Sequence, residues 1–390
     1  MTTSLATLIR LRGIQNKTRK IFEGLNDIHY RLQYHHDMSP AGWYLGQGIF
    51  FENYWLHEVI QGNDQYTRDK SLFVADNCPL PQRGPRLPPI PEHIEKISEQ
   101  QDQNDLLLLE KTAPLSQHLL FKDEYIENLI IHNYALNYES IYIVLNQIAL
   151  KKHIRNRKNQ PYTPSAQLKP QALLKNITHI KAGHYSVGGE WPYAIDIELP
   201  SHQTLLEDFF IANTPVSNAQ YLLFIEDGGY NNKNYWCNSG WQWREKNNIQ
   251  HPEYWARNEQ NQWYSINASG PVDLNPNDAV FGINHFEANA FANWAGARLP
   301  HEHEWETAAR LELIKGTTDV WEWCSNTLYP YQGFKAFPDT DRKQAEFDNK
   351  HFVLKGASHY TRPEIRRASF RNHYLAHQRH IFAGLRLVFD

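Results

Sequence analysis

The 390-residue chain carries 39 basic and 43 acidic residues, a formal net charge of −4, with 41% hydrophobic and 13% aromatic content. So balanced a charge excludes a global pull toward nucleic acid, and no run of about 18 apolar residues is present to span a bilayer. Three cysteines (Cys78, Cys237, Cys324) lack metal-type spacing, and the N-terminus lacks a signal-peptide apolar core, so a cytoplasmic protein is expected, its oligomeric state left open.

Residues 1–150 read as helical, in a chain long enough for two domains. The first 24 residues have apolar positions at helical spacing. The stretch SPAGWYLGQGIFFENYWLHEVI starts with Ser39 as N-cap and Pro40 at the first helical position. PLPQRGPRLPPIP (79–91) reads as a loop or polyproline segment, and further helices are predicted near 91–108 and 115–150. Four long helices with one long irregular connection predict a four-helix bundle. Residues 151–176 read as a polar, Pro-broken linker, whose basic run at 151–158 is a solvated helix end rather than a nucleic-acid site. From 177 to 390, short apolar runs, Gly-Gly turns and aromatics predict an α+β domain. Its helices include one ending at Gly228-Gly229 and two flanking Arg298-Leu299-Pro300.

Within the last predicted bundle helix, IIHNYALNYES (130–140) places Asn133 and Asn137 one turn apart in an apolar setting. A buried carboxamide needs hydrogen-bond partners or costs roughly 1–3 kcal/mol. Leu129, Asn133, Leu136, Asn137, Ile141, Val144 and Ile148 share one stripe, and Trp43, Gln47, Phe50, Phe51 and Tyr54 another, so three amides are predicted to face inward.

PVSNAQYLLFIEDGGY, ARLPHEHEWETAAR, VWEWCSNTLYPYQGF and the terminal FAGLRLV together resemble the formylglycine-generating-enzyme-like (sulfatase-modifying-factor) domain, a variant of the C-type lectin fold. Upstream, MSPAGWYLGQGIFFENYWL and PQRGPRLPPIPEHI resemble the DinB-like helical domain. That pairing is similar to the ergothioneine-type sulfoxide synthases, non-heme iron enzymes that use O2 to join a thiol to the imidazole of a histidine derivative. The resemblance implies Fe(II) held by three histidines, one closing an S-P-x-x-W-H-L-G-H segment and two in H-x-x-x-H-x-E. With Glu139 as the motif glutamate, these positions fall on Gln47, Asn133 and Asn137, and Tyr44 takes the remaining histidine's place. A one-residue slip toward His132 would rotate it by ~100° off the stripe. Neutral carbonyl oxygens are weak ligands for a first-row metal, so no tight Fe(II) binding is expected; Fe(II) is the cofactor if the family activity is retained.

The same resemblance aligns Tyr329 and Tyr331 with a loop projecting toward the iron, as candidate proton donors. It aligns Arg83, Asn372, His373 and Gln378 with substrate-contacting positions, His373 and Gln378 departing from the family's tryptophan and arginine. Arg371 and Arg386 read as core anchors, and HEHEWE (301–306) as a helix start rather than a metal motif, since Trp305 breaks H-E-x-x-H. Cys237 and Cys324, 87 positions apart, do not match the copper-binding pair of formylglycine-generating enzymes and read as small buried hydrophobes. Three functions follow. The first is an iron-free paralogue binding a small thiol- or histidine-derived ligand or a partner. The second is an active O2-dependent enzyme with another ligand set, for which His35, His36, His57 and His132 lie in the right regions. The third is new acid–base chemistry through Tyr329, Tyr331, His359 or His373.

Overall fold

The computed structural model describes residues 3–67, 69–110, 117–173, 176–337 and 347–390. The chain forms two compact units. The first comprises Met1–Lys151, Trp191–Tyr193 and Tyr360–Ile365; the second comprises Lys152–Glu190, Ala194–His359 and Arg366–Asp390.

Four long helices build the first unit: α1 (Leu5–Lys20), α2 (Ala41–Asn53), α3 (Ile90–Glu110) and α4 (Tyr125–Asn156). Ser4 caps α1 by accepting from the Thr7 amide. Ser39 does not cap α2. Its hydroxyl accepts from Arg83 at 2.5 Å, and Pro40 occupies the cap position. Beyond Asn53 the helix widens into one π-helical stretch, Tyr54–Val59. The Pro-rich segment read as a loop contains a one-turn helix, Leu80–Arg83. Proline is tolerated in first turns, where its missing N–H is unpaired anyway. α4 starts at Tyr125, later than predicted, because Asp123 and Glu124 adopt positive φ; it then runs past 150 to Asn156, into the segment read as linker. The predicted start at 115 lies outside the described residues. α2 and α4 are enclosed on nearly every face, so each carries apolar side chains all round rather than one stripe.

The second unit is α+β. Its strands are β1 (Ile177–Ile180), β2 (Gly183–Val187), β3 (His202–Leu206), β4 (Phe209–Ala212), β5 (Trp255–Arg257), β6 (Trp263–Asn267), β7 (Gly270–Asp273), β8 (Trp321–Thr327), β9 (His351–Gly356), β10 (Asn372–Leu375), β11 (Ala383–Gly384) and β12 (Val388–Phe389). They assemble in the orders β1-β4-β12, β10-β9-β8-β11, β2-β3 and β5-β6-β7. Helices α5 (Asn218–Glu226), α6 (Asn238–Asn247), α7 (His285–Trp294) and α8 (Glu302–Arg310) complete it. α5 and α7 begin with reciprocal capping boxes, Ser217 with Gln220 and Asn284 with Glu287. One core cluster packs Ile180, Phe209, Ile211, Trp305 and Val388 together. Beside it lie buried ion pairs: Arg371 to Glu302 at 2.7 Å, Arg386 to Glu322 at 2.7 Å and Lys355 to Glu306 at 3.0 Å. Two of the pairs tie α8 to a strand or loop, and the third ties β8 to the loop before β12.

Candidate functional site

The inward amides of α2 and α4 meet. The Asn137 amide nitrogen donates to Gln47 Oε1 at 2.6 Å and to Asn133 Oδ1 at 3.1 Å. Gln47 and Asn137 are each only 7% exposed. The i,i+4 spacing puts Asn133 and Asn137 on one face of α4, and Asn137 is the member bonded to Gln47. His132 is buried, on the adjoining face of α4. Glu139 is buried too and accepts from the Thr361 hydroxyl at 2.9 Å.

Further along α2 lies a second buried polar group that the sequence reading missed. Glu52 is fully buried and accepts from Gln15 at 3.0 Å, Asn104 at 2.9 Å and Tyr134 at 2.7 Å, so all four long helices converge on it. Burial pushes its carboxyl up from 4.5 to about 7, against the pull of those hydrogen bonds. Asn104 also meets His57 at 2.7 Å, which commits His57 to this network. A carboxylate inside the aromatic run GIFFENYWL was the available signal, and it lies off the ligand-position spacing that guided the reading.

Arg83, predicted to contact a substrate carboxylate, is 8% exposed and donates to Cys78 O, Ser39 Oγ and Ala75 O, with its guanidinium 4.4 Å from the Trp43 ring centre. It ties Ser39, ahead of α2, to the chain at Ala75 and Cys78. Cys237, read as a buried hydrophobe, is corrected: it is exposed and caps α6, its sulfur accepting from Gly240 N, whereas Cys324 is buried.

In the second unit, Tyr329 and Tyr331 gather around the Arg371–Glu302 pair. The guanidinium lies 4.1 Å from the Tyr331 ring centre and 5.4 Å from that of Tyr329. Tyr331 is buried and its hydroxyl reaches Glu302 at 3.4 Å, while Tyr329 meets His303 Nε2 at 3.3 Å. Burial lowers His303 to about 4 and raises Tyr329 to about 12, so near neutral pH the imidazole is uncharged and the phenol keeps its proton. Asn372 and His373 lie on β10, opposite Leu354 and Val353. Gln378 closes the following turn by accepting from Leu375 N at 3.0 Å. Among the described residues, one group of three metal-ligating side chains gathers its donor atoms within 4.8 Å: His35, His36 and Asp37, before α2.

With this geometry established, comparison with known proteins finds that residues 164–318 match the sulfatase-modifying factor enzyme 1-like domain. The chain is 31% identical over 244 residues to hercynine oxygenase of Mycobacterium tuberculosis, covering 51% of this chain and 56% of that protein. It is 29% identical over 234 residues to ergothioneine biosynthesis protein 1 of Schizosaccharomyces pombe, covering 50% and 27%. A solved structure of PvdO from Pseudomonas aeruginosa aligns over 58% of this chain and 98% of its own at 14% identity, with a TM-score of 0.39. The chain thus spans about half the length of the hercynine oxygenases it matches. No helix among the described residues is long and apolar enough to cross a membrane.

Proposed function

We propose that this chain is a divergent, iron-free relative of the ergothioneine-type sulfoxide synthases, with a DinB-like bundle ahead of a formylglycine-generating-enzyme-like, C-type-lectin-variant domain. In this reading it binds a small amino-acid-derived ligand, thiol- or histidine-derived, or a partner, and performs no oxidation.

One observation carries the reading: at the positions where the resemblance puts three histidines stand three carboxamides, hydrogen-bonded to one another. This donor set does not fit Fe(II). The carbonyl oxygens are neutral, Gln47 and Asn133 already accept from Asn137, and the trio has no anionic member. Relatives named hercynine oxygenase and ergothioneine biosynthesis protein 1 support a role related to that pathway.

Metal analysis of protein purified from iron-rich medium tests the proposal. Substoichiometric iron is expected in the wild type, and a gain of Fe(II) affinity in the triple variant Gln47→His, Asn133→His, Asn137→His. One tightly held equivalent in the wild type would sink it. The relatives' names favour a second reading, an active O2-dependent oxidoreductase joining a thiol to a histidine derivative. It requires ligands outside the trio, for which His35, His36 and Asp37 are the gathered candidates. Oxygen uptake with a histidine betaine and a thiol would support it; silence across a thiol and imidazole panel counts against it.

A further inference from the structure

On a different side of α2 from the amides, the first unit forms an open-mouthed cavity of about 260 Å³ lined by α2, α3 and Tyr66, Asp69, Leu72 and Phe73. Its lining combines apolar and aromatic side chains, among them Ile49, Phe50, Leu72, Phe73 and Ile97, with the polar Asn53 and Gln100. The wall is fitted rather than slack. A Cβ on Gly46 would lie 2.4 Å from the Phe73 ring and 2.8 Å from His93, so both rings rest directly on the helix backbone. His93 adds no charge. It is hydrogen-bonded to the Tyr30 hydroxyl, and burial lowers it to about 4.

The mouth differs from the walls. Among the described residues it carries two cations, Arg86 and Lys96, and two anions, Asp69 and Glu92. Arg86 is held in place by the carbonyl and hydroxyl of Ser71, both at 2.6 Å. Lys96 and Asp69 lie 3.5 Å apart with side chains 58% and 57% exposed. So exposed a pair is weakly held and can exchange its partner for a ligand's charges at little cost. A lone carboxylate would meet Asp69 and Glu92, and a lone amine would meet Arg86 and Lys96. A molecule bearing both charged groups on one carbon, with an apolar body, satisfies mouth and walls together.

We infer that this cavity is a binding site for a zwitterionic α-amino acid with an apolar or aromatic side chain, its body on Phe50, Phe73 and Ile97 and its ammonium and carboxylate at Asp69 and Lys96. The inference deepens the ligand-binding part of the proposed function and rests on it; it is independent of the iron question.

The test is calorimetric titration of the full chain with L-leucine and L-phenylalanine, alongside N-acetyl-leucine and leucinamide, which each lack one charge, and glycine, which lacks the body. Saturable binding of the two zwitterions is expected, with each capped analogue and glycine weaker by about tenfold or more, a difference of ~1.4 kcal/mol. The surface double variant Lys96→Ala, Asp69→Ala should weaken leucine by at least about tenfold, and Ile97→Trp, which fills the cavity, should abolish binding. Melting curves check that both variants are folded. Absence of saturable binding by either zwitterion would remove the site. Unchanged affinity in both folded variants would also overturn it, while leaving the ligand reading to be sought elsewhere on the chain. Equal affinity for the capped analogues would overturn the assignment to a zwitterion.

Discussion

Asn137 joins two carboxamides through one –NH2 group, so its loss should cost more than one hydrogen bond. In Asn137→Ala the acceptors on Gln47 and Asn133 lose their shared donor beside a new void. The variant is expected to lose about 1–3 kcal/mol in urea unfolding; an unchanged midpoint would mean that water replaces the amide freely. Glu52 makes a prediction of opposite chemical sense. Its carboxyl rises from 4.5 in a model peptide to about 7 when folded, through burial first, with nearby Asp105 adding to the rise. The folded state therefore keeps a proton that the unfolded chain releases, so its stabilising contribution is present below pH 4.5 and is lost as pH rises through about 7. The total is roughly 3 to 3.5 kcal/mol. Unfolding measured from pH 5 to 8.5 should show stability falling across that window in the wild type and a flatter profile in Glu52→Gln. The two sites were not equally legible. Paired asparagines in an apolar stripe break the helical pattern and announce themselves. Glu52 breaks it as strongly, yet its three partners come from α1, α3 and α4, and no local spacing encodes that meeting.

At the scale of elements, helix existence was legible and helix boundaries were not. The pattern for α2 was clear, but its start depended on Arg83, 44 positions from Ser39, engaging the hydroxyl that would otherwise cap it. The start of α4 depended on two residues with positive φ, which have no strong sequence signal in Asp-Glu. α2 also carries small residues where other helices and loops press closest. A Cβ at Gly48 would lie 2.5 Å from the Tyr134 ring. Tyr134 cannot retreat, because its hydroxyl is held by Glu52 and Gln101. Alanine gains about 1 kcal/mol of intrinsic helix propensity over glycine, and an overpacked core contact costs typically 1–3 kcal/mol. The clash should win. Gly48→Ala is expected to lower stability, whereas Gly13→Ala on α1, where a Cβ meets nothing within 4 Å, should raise it. Equal effects in thermal melts would show that α2 can shift away from α4.

For the whole molecule, order along the chain is not order in space. The long N-terminal stretch of the first unit ends at Lys151, yet the unit includes two later stretches, Trp191–Tyr193 and Tyr360–Ile365. Each is anchored by specific contacts within that unit. Trp191 stacks on Tyr125 with ring centres 4.2 Å apart and donates to Asp123 at 3.0 Å. Tyr360 stacks on Tyr142 at 4.5 Å, and Thr361 donates to the buried Glu139. Such pairings join residues more than 60 or 200 positions apart, which hydrophobic periodicity cannot register. A fragment spanning residues 1–158 would retain all four long helices but lose both stretches, exposing Tyr125 and Tyr142 and removing one hydrogen bond from Glu139. Lost aromatic pairs cost about 0.5–1.5 kcal/mol each beyond the area exposed, and the lost bond to a buried charged group about 1.5–3 kcal/mol. Since a domain has only about 5–15 kcal/mol in reserve, the fragment should be helical by circular dichroism yet melt well below the first-unit transition of the full chain. Thr361→Val in the full chain isolates the hydrogen bond and should shift that transition in the same direction by a smaller amount. A fragment melting as high as the full chain would show that the four helices suffice and that the two later stretches only rest on them.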